Sequence, residues 1–236
     1  MKILTWNIRQ GGSFSRLGPI IRALVKHDPD VIVLTEYWEG EKGERIKNGL
    51  LLQGYPHLLS SKPVERTNGI LIASKEPVTP YPAYEDVPKE RWIEICIKAF
   101  ELNVLAIHVP SISSNIHSKE NFWKQVKQYA KYKLDTRTVI VGDFNTGLSN
   151  DAQGTPFICS EYMQDILDYG WIDSWRYTHG LFNQYSWFSN KGNGFRLDHI
   201  LISPSLKDGL LESYLSHRER LDKISDHSIL VTELQL

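Results

Sequence analysis

Three stretches of this chain are apolar at nearly every position: Val31-Ile32-Val33-Leu34, Thr138-Val139-Ile140-Val141, and residues 102–107. Successive side chains of a strand point to opposite faces, so a strand written this way offers water no face and must be covered on both sides. The chain therefore has to build layers, with sheets packed on each face. Between the strand expected at residues 3–8 and the one at 31–34, Leu17, Ile20, Ile21, Leu24 and Val25 recur at helical spacing. Ser15 can cap that helix and Pro29 closes it. Strand, helix and strand in about 35 residues make a crossover unit. A second such passage spans residues 103–145, with a helix at 118–133 that turns Phe122, Val126 and Tyr129 inward.

Further strands are expected at residues 55–60, 69–74, 91–97, 185–188, 195–203 and 227–234, with a helix at 157–167 and a short helix within the polar segment 39–49. Pro77, Pro80, Pro82 and Pro88 mark a long turn region, not a linker, because patterned strands resume on both sides. A chain of 236 residues forms one domain, residues 1–236, and 41% hydrophobic with 23% charged residues excludes a disordered, collagenous or coiled-coil protein. The expected fold is an α/β four-layered sandwich, two mixed sheets face to face with helices on both outer faces.

The formal net charge is -1, so no global field recommends a polyanion, and any such site must be local or neutralised by metal. From Lys119 to Arg137 there are six basic and two acidic residues, read as a solvated helix face or as a grip on an extended polyanion. No run of roughly eighteen apolar residues exists, which excludes a membrane-spanning helix. The opening residues read as a strand and not as a signal peptide, so a cytoplasmic protein is expected. Cys96 lies inside an apolar run, where a buried thiol is expected in preference to a disulfide with Cys159.

The chemistry stands where strands end. Asn7, Glu36, His108, Asp143 with Asn145, Asp198 with His199, and Asp226 with His227 all lie near a strand terminus, and such ends can converge on one crevice. Four carboxylates there (Glu36, Asp143, Asp198, Asp226) repel one another unless protonated or neutralised by a cation, and hard oxygen ligands favour magnesium or manganese. Neither a Cys-x-x-Cys pair nor a His-Glu-x-x-His helix offers a zinc site. Hydrolysis of a phosphate diester uses these groups: a metal, an Asp that positions and deprotonates water, and His or Asn on the transition-state oxygens. A carboxylate beside an imidazole keeps it cationic. Asp198 and His199 point to opposite faces of a regular strand; Asp198 is taken as functional and His199 as packing or support.

In order along the chain, Leu4-Thr5-Trp6-Asn7-Ile8, Pro29-Asp30-Val31-Ile32 through Glu36, Asn68-Gly69-Ile70-Leu71-Ile72-Ala73-Ser74, Gly142-Asp143-Phe144-Asn145, Tyr185-Ser186-Trp187-Phe188, Arg196-Leu197-Asp198 and Ser225-Asp226-His227 resemble the motifs of the endonuclease/exonuclease/phosphatase superfamily. Within that superfamily the chain most resembles the exonuclease III type of abasic-site endonuclease. The resemblance implies a pancreatic-deoxyribonuclease-like fold and a magnesium-binding Glu36, with Asn7 and Asp226 or Asp198 completing or supporting its shell. It implies Asp143 as base, Asn145 on a phosphate oxygen, and His227 on the scissile phosphate, oriented by Asp198. Trp187, Phe188 and Phe195 would wall a pocket for a deoxyribose lacking its base, with Arg196 as a further substrate contact; in the competing account these aromatics pack between the sheets.

Three departures bear on substrate. Thr35-Glu36-Tyr37-Trp38 stands where abasic enzymes carry Gln-Glu-Thr-Lys, so a basic residue is missing. His108-Val109-Pro110 replaces their Tyr with a His that can act as an acid or cation near neutral pH. The loop 189–194 is short. The expected function is a magnesium-dependent phosphodiesterase cleaving DNA at abasic sites or 3′ ends. The alternatives are a phosphodiesterase or phosphatase acting on nucleotides, inositol phosphates or phospholipid head groups, and a non-catalytic binding module that kept the fold.

Overall fold

The computed structural model describes residues 1–11, 13–82, 84, 86–111 and 116–236. The first half of the chain supplies β1 (Lys2–Asn7), β2 (Val31–Tyr37), β3 (His57–Ser60), β4 (Gly69–Ser74), β5 (Thr79–Pro80), β6 (Trp92–Ile97) and β7 (Leu102–His108). The second supplies β8 (Thr138–Asp143), β9 (Ile172–Asp173), β10 (Trp187–Phe188), β11 (Gly194–Phe195), β12 (Asp198–Ile202), β13 (Leu210–Ser216) and β14 (Ile229–Leu234). The main helices are α1 (Phe14–Lys26), α2 (Glu41–Leu52), α3 (Ile116–Tyr132), α4 (Ser160–Asp168) and α5 (Ser174–His179).

The strands form two six-stranded sheets, ordered β13-β14-β1-β2-β4-β3 and β5-β6-β7-β8-β12-β9, plus the ribbon β10-β11. Both are mixed: β1 and β2 run parallel with α1 crossing between them, and β7 and β8 run parallel with α3 between them. The continuous apolar runs divide their side chains between two cores. Val31 and Val33 join Ile70, Val104, Val139 and Val141 in the layer between the sheets. Ile32 and Leu34 face the other way, onto Leu17, Ile20 and Leu24 of α1 and Ile46 and Leu50 of α2. On the second sheet, Leu105 and Ile140 meet Phe122 and Val126 of α3 and Met163 and Ile166 of α4. The result is the expected four-layered sandwich.

Several local expectations shift. Ser13, not Ser15, is the N-cap of α1, and α3 begins at Ile116, before Ser118. The helix expected from residue 157 starts at Ser160, because Cys159 has a left-handed φ of 70° that a right-handed helix cannot include. β13 and α5 have no counterpart in the sequence reading. β13 is an edge strand with a bulge at Leu210/Glu212 and several exposed positions, so its pattern is too weak to see. Cys159 is buried and Cys96 only half-buried, and both thiols are free; Cys96 is near the end of β6 beside the short edge strand β5, which leaves it partly open. Among the described residues, no helix is long and apolar enough to cross a membrane.

Gly142 decides how closely β7 and β8 approach just before their polar ends. Its φ is +143°, and a Cβ there would collide with the Ile107 carbonyl oxygen. Gly142→Ala is therefore expected to cost at least about 1–3 kcal/mol from backbone conformation alone. Chemical denaturation would show this as a lowered midpoint with an unchanged slope.

Candidate active site

Topology brings the polar strand ends to one edge of the sandwich. β1, β2, β7 and β8 finish there, and antiparallel β12 begins there, with Asp143 facing both His108 and Asp198 in register. Asp226 and His227 lead into β14, which is antiparallel to β1. Glu36 reaches the same place through a bulge: the pairing of β2 with β4 slips between Thr35 and Tyr37, and Glu36 takes a φ of 52°. Bulges re-aim a side chain, and left-handed non-glycine residues of this kind cost about 1–3 kcal/mol that the surrounding fold must sustain.

Asp143 is the hub. Asn7 Nδ2 donates to its Oδ2 at 2.9 Å, from the other sheet, and the Asn145 backbone N–H donates to its Oδ1 at 2.9 Å. Asn7 Oδ1 accepts from the Arg9 N–H at 2.9 Å, which fixes the amide orientation. Asn145, itself left-handed with φ 46°, donates from Nδ2 to the Val109 carbonyl at 2.9 Å. His227 Nδ1 pairs with Asp198 Oδ2 at 2.8 Å, and Trp6 Nε1 donates to the His227 carbonyl at 3.0 Å. His108 Nε2 stands 3.9 Å from Asp143 Oδ2.

Burial and the neighbouring Asp198 charge push the Asp143 carboxyl up to about 6. Burial opposes a charged His227, but Asp198, Asp143 and Asp226 together outweigh it and raise the imidazole to about 10. His108 goes the other way: burial, then the positive charges of Arg91 and His227, hold it well below its ordinary value. Both effects pull against the expectation that His108 titrates near neutrality, and its Nδ1 is buried with no hydrogen-bond partner among the described residues.

Asp143, Asp198 and His227 offer ligand atoms all within 4.8 Å of one another. Asp198 Oδ1 is buried and has no hydrogen-bond partner, so this carboxylate has an oxygen to spare. Oxygen donors carrying uncompensated negative charge fit magnesium or manganese. Half-buried Glu36 and Asp226 line the same cleft and add two more carboxylates.

The cleft holds about 640 Å³, and its walls include Arg91, His108, Asn145, Phe157, Trp187, Phe195 and Leu197. Trp187 and Phe195 lie 5.8 Å apart, Phe157 and Phe195 5.7 Å, as ring centroids. These aromatics therefore face the cleft and are not packed between the sheets. Phe188 does not join them. It follows Trp187 in the ribbon, so it points to the opposite face, where Arg220 lies 4.4 Å from its ring centroid.

Arg196 is not a substrate contact either. It is fully buried, with Nε and Nη2 on Asp151 at 2.9 and 3.0 Å and Nη1 and Nη2 on Asp173 at 3.0 and 2.7 Å. His199 sits in the same network, its Nδ1 3.3 Å from Asp173 Oδ2 and its Nε2 2.9 Å from the Thr146 carbonyl. This clamp anchors the start of β12, two residues from Asp198. In the basic stretch 119–137, Lys127 pairs with Asp165, Lys133 with Glu94, and Arg137 Nη1 donates to the Phe100 carbonyl, while Lys124 and Lys131 are exposed, as expected of a solvated helix face.

Sequence reasoning missed four participants. Arg91, whose Nη1 donates to the His108 carbonyl at 3.3 Å, ends a short 3-10 turn immediately before β6, the antiparallel neighbour of β7. Asn68 comes from a loop that no periodicity marks, and Phe157, expected to open a helix, lies in the loop before α4. Lys119 is fully buried and donates from Nζ to the Asn145 carbonyl at 2.6 Å, a role hidden inside what reads as a charged helix face.

Residues 4–227 match the model of the Endonuclease/Exonuclease/phosphatase family. Among solved structures, the chain is similar to an AP endonuclease from Archaeoglobus fulgidus (TM-score 0.85), a 3′ phosphatase from Neisseria bound to product DNA hairpin (0.83) and a 3′-5′ exonuclease from Neisseria meningitidis (0.82). Each is 24% identical and is covered over 100% of both chains.

Breaking a buried ion pair leaves the partner charge uncompensated, so Asp173→Asn is expected to lower stability by about 3–5 kcal/mol. Burial works against an ionised Asp173, but the Arg196 charge and the bonds from His199 and Arg196 hold its carboxyl well below the usual range. A depressed folded value gives stability that is complete above the unfolded value of about 3.9 and is lost as pH falls from there toward the folded one. Urea midpoints from pH 5 down to about 2 should therefore fall more steeply for the wild type than for Asp173→Asn.

Proposed function

Because the chain belongs to the Endonuclease/Exonuclease/phosphatase family, we propose that it is a divalent-metal-dependent phosphodiester hydrolase that acts on DNA, at abasic sites or at 3′ ends. The observation that carries this reading is one cleft that combines an Asp–Asn–His–carboxylate constellation with an aromatic wall of Phe157, Trp187 and Phe195. An apolar wall beside the carboxylates suits the bare face of a deoxyribose that has lost its base. DNA as substrate is also what the names of the similar structures from Neisseria and Archaeoglobus suggest.

Glu36 and Asp226 are assigned to hold magnesium or manganese, with Asp198 Oδ1 and Asn7 Oδ1 in supporting positions. When bound, the ion polarises a phosphoryl oxygen and stabilises the charge that develops on it. Asp143, aimed by Asn7 and the Asn145 N–H, accepts the proton of the attacking water; a value near 6 suits a base that works at neutral pH. His227 stays cationic against Asp198, and with Nδ1 engaged there it donates to a phosphoryl oxygen through Nε2. Asn145 and neutral His108 add hydrogen bonds to the reacting group. Two free cysteines fit a reducing compartment such as the cytoplasm.

Asp143→Asn is expected to lower turnover at least about a hundredfold through loss of base catalysis. Wild-type activity should fall as pH drops below about 6, the direction for a base that must be ionised. Glu36→Gln should raise the magnesium requirement, with partial rescue by high metal or by manganese.

The substrate assignment is tested by magnesium-dependent turnover of an abasic duplex, an intact duplex, a single strand and bis-p-nitrophenyl phosphate side by side. Preference for the abasic duplex or for 3′ ends supports the reading. Equal or better turnover of the small diester would replace it with a nucleotide, inositol phosphate or head-group substrate.

A further inference from the structure

A second cavity, of about 440 Å³, opens beside the cleft and is lined by Arg9, Gln10, Ser13, Arg16, Lys42 and Lys223. Four of these six side chains are cations and none is a carboxylate. The two cavities share a rim, since Arg9 Nε lies 4.0 Å from Asp226 Oδ2, and Asp226 lines the cleft. The loop that carries Arg9 and Gln10 is tied to the reaction centre: Asn7 Oδ1 accepts from the Arg9 N–H, and the Gly11 N–H donates to the Glu36 carbonyl at 3.0 Å.

The cations are held in place before any ligand arrives. Arg16 Nη1 donates to the Ile224 carbonyl at 2.9 Å and Nη2 to the Arg9 carbonyl at 3.4 Å, while Lys42 Nζ donates to the Gln10 carbonyl at 3.2 Å. Arg9, Gln10 and Lys223 all adopt left-handed φ, at 49°, 59° and 59°, a conformation that costs energy and persists only where surrounding structure enforces it. Ser13, the N-cap of the thirteen-residue α1, lines the cavity, which sets the positive end of that helix's dipole at its wall. Burial and the like charge of Arg9 both act against the charged form of Arg16, a repulsion that a bound anion relieves.

We propose that this cavity is a second phosphate subsite, which holds a backbone phosphate of the same DNA strand next to the one being cleaved. The inference rests on the phosphodiesterase reading and deepens it: a substrate that fills both cavities is a strand and not a single small diester. It also places the electrostatic grip on the first-sheet side of the cleft, where the balanced net charge of the chain conceals it.

The test compares the wild type with Arg16→Gln/Lys223→Gln, and with Lys42→Gln/Lys223→Gln in case loss of the Arg16 tie to Ile224 lowers stability. Binding of a short fluorescein-labelled abasic duplex is followed by anisotropy in EDTA between about 50 and 200 mM salt, so no turnover is needed. Each cation removed is expected to reduce the slope of log affinity against log salt by about 0.9, and each double variant to bind at least about tenfold more weakly. With magnesium, the ratio of kcat/KM for DNA to that for bis-p-nitrophenyl phosphate should fall by a similar factor.

Unchanged affinity and slope in both variants would overturn the subsite, even if the wild type cleaves DNA. Tripolyphosphate that binds the wild type more tightly than the duplex does, and loses affinity in the variants while the duplex does not, would overturn it in favour of a free polyphosphate. A wild type that binds DNA with the expected slope but cleaves no diester keeps the subsite and removes the hydrolase.

Discussion

Asp143 and Asp198 lie opposite each other on β8 and β12, almost fully buried, and two carboxylates that close cannot both be charged in a low-dielectric interior without compensation. Much of the site can be understood as that compensation. His227 brings a positive charge to Asp198, Asn7 brings an N–H to Asp143 across the gap between the sheets, and the Asn145 backbone brings another. Each donor comes from a different strand end, so the charge is tolerable only when both sheets are stacked in one relative position. The residual negative charge, felt as the raised carboxyl of Asp143, is what a divalent cation and a water proton can use.

Rigidity around this pair comes from elements with no part in the chemistry. The Arg196 guanidinium gathers Asp151, Asp173 and His199 into a buried clamp behind β12, and the Arg196 side chain also lies 4.9 Å from the Trp175 ring centroid. Gly142 lets β7 and β8 close tightly one residue before His108 and Asp143. Lys119 holds the Asn145 carbonyl from below while Asn145 itself sits in a left-handed conformation. Strained residues at Glu36 and Asn145 are affordable because the cores on either side of each sheet over-determine their positions.

The cleft then divides by character. Its second-sheet side carries the aromatic wall of Phe157, Trp187 and Phe195, and its first-sheet side leads over Asp226 to the cations around Arg9. Trp187 belongs to both descriptions, since its indole Nε1 donates to Asp226 Oδ2 at 3.4 Å while its ring faces Phe195. A sugar-phosphate chain has the same two characters in alternation. The correspondence gives the proposed strand-like substrate a physical basis in a protein with almost no net charge.

Local rules were enough for the layers and for most polar strand ends. A run such as Val31-Ile32-Val33-Leu34 can only be buried twice over, and a polar residue that ends such a run is conspicuous: Asn7, Glu36, His108, Asp143 and Asp198 were all legible that way. What a side chain does at the end of its strand was not legible, because it depends on partners far away in the chain. Arg196 and Phe188 read like substrate contacts, yet the first is neutralised by Asp151 and Asp173 and the second is turned away by strand alternation. Lys119 reads like a solvated helix residue and is buried under the Asn145 loop; Phe157 reads like a helix residue and lines the cleft. The sequence by itself determined which segments must be covered on both faces, since that follows from side-chain polarity and the two-residue period of a strand. Only the tertiary structure decided the opposite directions in which His108 and Asp143 are shifted and the gathering of the cations around Arg9, because desolvation and electrostatics act through space between elements that the chain order keeps apart.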